Sequence, residues 1–418
     1  MTLQAAGAPR RILFQNLMQT LGLCLLVAVS MTFLAWTTSD DSVTNRDFIS
    51  YWAAGQSLLH GSNPYDANPI LRIERSAGWH GSGVMIMRNP PSALFLTLPL
   101  GLLHPKEGWF LWTLLVLLAW LGSIHVLWTL NGKPNQPLHF IGYLFAPAIA
   151  CFLLGQCSLF ALFGLALFFH FHRSRPVLAG AALVLCMFKP HLFLPFGVVL
   201  LAWMATRKSY RVFFSAAAAL VVTCIAPLFF DPSVYAQYEA MARSSQVQNE
   251  FVPTWSELLR IALKPDAFWL QFLPAIAGCL WAIGYFRRHR TEWDWHTHSS
   301  LLMLVSVLVA PYAWFFDGAV LLPSLLYAAY RARRNALALL FGLLLLANIQ
   351  LALGTPSHSA WYLWWSPAWL AWYLWSMHPS QNSAVRGNAA STPGSKDASP
   401  RCPLLRLREE SSYQAKSK

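Results

Sequence analysis

The stretch Val212–Phe230, VFFSAAAALVVTCIAPLFF, runs through nineteen positions without a charged residue. Three further runs, 12–36, 267–286 and 335–353, are equally free of Asp, Glu, Lys and Arg. A helix rises 1.5 Å per residue, so crossing roughly 30 Å of hydrocarbon takes about 20 apolar residues. Each of the four runs qualifies alone, and together they predict a polytopic membrane protein built of helices.

Composition agrees. Of 418 residues 56% are hydrophobic and only 11% charged, and the mean hydropathy is +0.43. A water-soluble domain carries about 25% charged residues, so this chain lacks the polar surface to wrap a core in water. The net charge of +13 is dispersed in short clusters between apolar runs: Arg10-Arg11, Arg173/Arg175, Arg207-Lys208/Arg211, Arg287-Arg288/Arg290 and Arg331/Arg333-Arg334. That is the positive-inside pattern of cytoplasmic connectors. Nucleic-acid binding needs a continuous basic face, and no nucleic acid is expected as a partner. Six of the seven cysteines lie in apolar runs without CxxC spacing, as small core residues do.

With Arg10-Arg11 inside, 12–36 reads as the first spanning helix; it is too long for the core of a cleavable signal. Further apolar pieces follow at 90–104, 109–130, 138–154, 157–171, 176–188, 191–206, 212–230, 267–286, 299–313, 318–330, 335–353 and 360–377. Keeping every basic connector and the basic tail inside requires an even number of crossings. The piece that fails to cross is 90–104, which carries Pro90, Pro91 and Pro99; broken segments are tolerated where protein or a wet cavity covers their backbone. About twelve transmembrane helices remain, in one domain over 1–378, with both termini cytoplasmic and a disordered tail at 379–418. The long loops 37–89 and 231–266 then face outward, as do the Gly155-Gln156 and Lys189-Pro190-His191 junctions and Asp317. Ten of the seventeen acidic residues lie in those two loops. The polar chemistry converges on the outer face.

The most informative outer stretch is Arg46-Asp47-Phe48-Ile49-Ser50-Tyr51-Trp52-Ala53-Ala54-Gly55, continuing through Leu58, Asn63-Pro64-Tyr65 and Asp66. Residues 47–60 read as a short amphipathic surface helix with Tyr51, Ala54 and Leu58 on one face. Asp47 at its start has two readings: a helix cap favoured by the dipole, or a catalytic carboxylate. Lys189 and Asp317 sit among apolar residues, where ionisable groups are costly and usually functional; Asp317 is a candidate either as partner to Lys189 or in acceptor binding.

The run D-F-x-x-Y-W-A-A-G-x-x-L-L-x-G-x-N-P-Y-D resembles the first outer loop of glycosyltransferase family 87. Further segments match in order: Asn89-Pro90-Pro91-Ser92-Ala93-Leu94-Phe95, Gly155-Gln156-Cys157-Ser158-Leu159, Lys189-Pro190-His191, and Ala310-Pro311-Tyr312 followed by Asp317. The resemblance implies a membrane glycosyltransferase of the GT-C fold class that takes its sugar from a polyprenyl phosphate and inverts the anomeric carbon. It implies Asp47 as the general base and cations at the lipid phosphate, here Lys189 and His191, then Arg46, Arg88, Arg72 and Arg75. Tyr51, Trp52, Asn63, Tyr65, Gln156 and Asp317 are expected to bind substrate, with Trp52 or Trp79 able to stack on a sugar. Some members carry histidines in the late segment where this chain has Phe315-Phe316-Asp317, so the hexose, mannose included, stays open.

No cofactor is expected. No metal constellation stands out; Asp40-Asp41 reads as part of a solvated acidic loop, and divalent-metal dependence stays open. The expected partners are the bilayer, a polyprenyl-phosphate sugar and an envelope glycan or glycolipid acceptor, and the expected location is the plasma (inner) membrane. A lipid or sugar transporter or flippase is the competing reading, and a non-catalytic assembly subunit a third. The transporter reading does not account for the ordered outer motifs, and the chain shows none of the internal repeats common in transporters.

Overall fold

The computed structural model describes residues 47–244 and 251–378. The expected first helix at 12–36, Asp40-Asp41, Arg46 and the tail 379–418 lie outside the described residues. Within those bounds the chain is helical throughout, without a strand, and the part ending at Met377 is a single compact unit.

Among the described residues, five helical stretches are long and apolar enough to cross a membrane: Pro105–Leu130, Pro137–Leu154, Tyr210–Phe229, Phe268–His289 and Arg334–Ala352. Their outer faces stay uncovered. Phe213, Phe214, Val221, Val222 and Phe229 are exposed on the third, and Leu345, Leu346 and Ile349 on the fifth. Apolar surface on this scale marks a face that meets lipid or another protein.

The helices that carry the argument are α1 (Phe48–Leu59), α2 (Ala67–Ser76), α3 (Leu94–Gly101), α4 (Pro105–Leu130), α5 (Ala146–Leu154), α6 (Ser158–Phe171) and α7 (Arg334–Ala352). The shorter helices form the interior. Ten of the fourteen residues of α6 are buried, against α4 on one side and the turns Leu183–Phe188 and Phe315–Leu321 on others. The proline-rich piece forms helix only over Pro91–Gly101, which at 1.5 Å per residue is about half the thickness of a bilayer core.

Residues 47–60 depart from expectation. They form a helix, but not an amphipathic one on the surface: Phe48 to Gly55, Ser57 and Leu58 are all buried. Small residues permit this. A Cβ on Gly55 would stand 2.3 Å from the Thr97 carbonyl oxygen, and one on Gly101 2.5 Å from the Gly55 carbonyl carbon, so α1 and α3 cross backbone to backbone. Two of the helix's polar side chains are satisfied inside: Gln56 Nε2 donates to the Gly101 carbonyl at 2.6 Å and Trp52 Nε1 to the Leu103 carbonyl at 3.0 Å.

The breaks between apolar helices decide where the site forms. Gly155 ends α5 with φ +70°, the left-handed region that glycine enters without steric cost. Lys189, with φ −138° and ψ 65°, separates two 3-10 turns just ahead of Pro190. Trp314 opens the 3-10 turn Phe315–Leu321. A break exposes backbone groups that must find partners, and side chains supply several. Trp112 Nε1 donates to the Gly155 carbonyl at 2.6 Å, Asn89 Nδ2 to the Phe188 carbonyl at 2.8 Å, and the Trp314 N–H to Asp317 Oδ2 at 2.9 Å.

Candidate active site

Asp47 stands at the N-cap of α1, yet its carboxylate makes no cap hydrogen bond. Other aspartates at helix starts do: Asp66 accepts from the Asn68 N–H at 3.0 Å, and Asp294 from the Thr297 N–H at 3.1 Å. Asp47 is instead tied to the α5–α6 break. Its N–H donates to the Leu154 carbonyl at 3.1 Å, and its Oδ2 accepts from Gln156 Nε2 at 2.5 Å.

Gln156 is the hub. Its Oε1 accepts from the Tyr51 hydroxyl at 3.0 Å and from Lys189 Nζ at 2.9 Å. Lys189 Nζ also reaches Asp317 Oδ1 at 2.6 Å and lies 4.7 Å from the centre of the Phe316 ring. The Ser158 hydroxyl donates to the same Asp317 oxygen at 2.6 Å. Four chain segments, the start of α1, the α5–α6 break, the Lys189 break and the Phe315 turn, thus meet in one polar network inside an otherwise apolar interior. Buried polar networks of this kind hold their geometry because every unmade bond is costly.

The remaining candidates fall into three groups. His191 lies beside the network, its ring 4.1 Å from that of Tyr312 and half-buried. Arg88 is exposed next to Asn89, whose amide also approaches Cys157 Sγ at 3.5 Å; Arg72 and Arg75 are exposed on α2. Tyr65, Asn63, Trp52 and Trp79 are engaged within the fold. The Tyr65 hydroxyl donates to the Asn89 carbonyl at 3.4 Å, Asn63 Oδ1 accepts from the Tyr65 N–H at 2.8 Å, and Trp79 Nε1 donates to the Gly83 carbonyl at 2.7 Å. Trp52 packs in the core and offers no open ring face for a sugar in this conformation.

A small cleft lies next to Tyr51, lined by Met87, Asn89, Leu96, Trp112, Cys157 and Phe188 among others. At about 10 Å³ it has room for about one water and is too small for a hexose. Among the described residues no three His, Cys, Asp or Glu side chains gather in a way that could hold a metal ion.

The structure brings together Asp47, Gln156, Lys189 and Asp317, all singled out from the sequence, and adds two partners that were not: Ser158 for Asp317 and Asn89 for the Phe188 carbonyl. Both stand inside quoted motifs, and their signal was a polar side chain next to a helix break. The structure also changes the place of Lys189: its ammonium is buried between Asp317 and Gln156.

The family model of glycosyltransferase family 87 matches residues 88–353. No curated protein and no solved structure matches the chain. The matched span contains Asn89, Gly155, Gln156, Lys189 and Asp317. Asp47 precedes it in sequence but is bonded directly to it through Leu154 and Gln156.

Proposed function

Since the chain belongs to glycosyltransferase family 87 and is a membrane glycosyltransferase, we propose that it transfers a hexose from a polyprenyl phosphate to an envelope glycan or glycolipid on the extracytoplasmic face of the plasma membrane. The chain crosses about twelve times with both termini cytoplasmic, which puts the loops 37–89 and 231–266 and the Asp47 network outside. No nucleotide sugar is at hand there, so a donor carried by membrane lipid suits the site.

Asp47 is the general base. It takes the proton of the acceptor hydroxyl as that oxygen attacks the anomeric carbon. The bond from that carbon to the phosphate oxygen breaks from the opposite side, its electron pair leaving with the polyprenyl phosphate, and configuration inverts. Positive side chains near the departing phosphate stabilise the charge it gains. Arg88 and Arg46 are the cations assigned to that role, with His191 beside the network as a hydrogen-bond donor. Lys189 contributes from behind the site through its bonds to Gln156 and Asp317.

The observation that carries this reading is the Gln156–Asp47 hydrogen bond of 2.5 Å. A carboxylate at a helix start is ordinarily explained by capping. Here the cap bond is absent and the carboxylate is held by an amide from a different part of the chain. A direct test supplies membranes containing the protein with polyprenyl-phosphate mannose, glucose or galactose, and in parallel with the corresponding nucleotide sugars. Transfer from a polyprenyl phosphate alone is expected. Transfer from a nucleotide sugar, in membranes cleared of polyprenyl phosphate, contradicts the donor assignment.

A further inference from the structure

We propose that Gln156 is a positioning residue whose amide, oriented by Lys189 and Tyr51, fixes the Asp47 carboxylate in its reactive direction. The proposal rests on the reading of Asp47 as the base and goes beyond it by assigning the groups that hold it.

An amide side chain can usually be turned over, exchanging its donor and acceptor ends. At Gln156 the exchange is blocked. An ammonium only donates, so the amide atom 2.9 Å from Lys189 Nζ must be the oxygen. The Tyr51 hydroxyl donates to that same oxygen at 3.0 Å. The –NH2 end is therefore directed at Asp47 Oδ2, 2.5 Å away. Lys189 is itself fixed by Asp317, which is held by the Ser158 hydroxyl and the Trp314 N–H. The hydrogen-bonded line runs from Asp317 through Lys189 and Gln156 to Asp47: Lys189 donates to both Asp317 and Gln156, and Gln156 donates to Asp47. All of it except Asp47 is buried, so water does not compete for these bonds. A base held this way needs no reorientation when the acceptor arrives, and such preorganisation lowers a barrier without adding substrate affinity.

Lys189 and Asp317 also support the fold, so removing either alone tests too much. Tyr51→Phe deletes one hydroxyl, and Gln156→Met keeps an unbranched side chain of similar size. The experiment measures kcat and acceptor KM, with polyprenyl-phosphate mannose, glucose or galactose as donor, for wild type, Tyr51→Phe, Gln156→Met, the double variant and Asp47→Asn. Each is first checked for an intact fold by thermal unfolding in detergent. Gln156→Met is expected to lower kcat roughly 10- to 100-fold, the range for a hydrogen bond to a charged group, with KM within about twofold. Tyr51→Phe is expected to lower kcat several-fold when Gln156 is present and not at all in the Gln156→Met background, since it acts through that amide.

Residual full activity in Asp47→Asn overturns the reading of Asp47 itself. If Asp47→Asn is inactive but Gln156→Met retains wild-type kcat, or raises KM alone, the positioning role is overturned while the base survives. Losses that multiply in the double variant also overturn it, because they show Tyr51 and Gln156 acting independently.

Discussion

Lys189 Nζ stands 2.6 Å from Asp317 Oδ1, with side-chain exposures of 8% and 1%. This buried pair joins the break at Lys189 to the turn at Phe315, and through Gln156 it reaches the start of α1. A buried pair contributes little net stability when formed, but breaking it leaves one charge without compensation. Lys189→Met or Asp317→Leu alone is expected to destabilise the protein by about 3–5 kcal/mol. The double variant Lys189→Met/Asp317→Leu should recover much of that loss, because no lone charge stays buried. Thermal unfolding in detergent measures both; equal melting of the single variants and wild type contradicts the pairing.

The crossing of α1 and α3 gives a second test. Gly55→Ala and Gly101→Ala each place a methyl against backbone, 2.3 Å and 2.5 Å from the nearest atoms, and backbone cannot rotate away. Each should cost about 1–3 kcal/mol, the range for overpacking, and lower activity by displacing α1 and with it Asp47. Gly342→Ala on α7 serves as the control, since nothing lies within 4 Å of its added Cβ. It should leave the melting temperature unchanged or slightly raised.

The pattern of apolar runs made the helices legible in advance. The run 212–230 appears as helix over Tyr210–Phe229, and 335–353 as Arg334–Ala352, because charge-free length is a direct record of what can lie in hydrocarbon. Asp47, Gln156, Lys189 and Asp317 were legible as polar residues beside helix breaks or in apolar surroundings, where a polar group needs a reason. Lys189 was also legible as a candidate partner of Asp317, because a charge among apolar residues calls for an opposite one, and the two pair at 2.6 Å. The bond from Gln156 to Asp47 was not legible: it spans 109 positions, and no local periodicity encodes a partner that distant. The burial of α1 was hidden for a different reason. The expected surface helix carries polar side chains that turn inward: Gln56 spends its amide on the Gly101 carbonyl and Ser50 its hydroxyl on the Asp47 carbonyl.

Glu74 on α2 supplies a pH prediction. Both its carboxylate oxygens accept from the Met85 N–H, at 3.1 and 3.2 Å, and the side chain is buried. Burial pushes its carboxyl from 4.5 up to about 7, against the opposing pull of the Met85 N–H and Arg75. Between those values the unfolded chain has lost the proton and the folded one keeps it. Stability therefore falls as pH rises from about 4.5 to about 7 and levels off above. Hydrogen exchange or limited proteolysis over residues 78–87 should show that segment loosening across this range, and Glu74→Gln should flatten the response. A wild-type profile already flat between pH 4.5 and 7 contradicts it.

Transfer assays on membranes carrying wild-type or Asp47→Asn protein, supplied with radiolabelled polyprenyl-phosphate mannose, glucose and galactose, test the central claim most directly. Asp47→Asn keeps the size of the side chain and removes its capacity to take a proton. The expected result is labelled product from wild type and a loss of about 100- to 10,000-fold in the variant, the span of general-base catalysis, with melting behaviour unchanged. Equal transfer by both proteins would remove Asp47 from the mechanism and contradict the account.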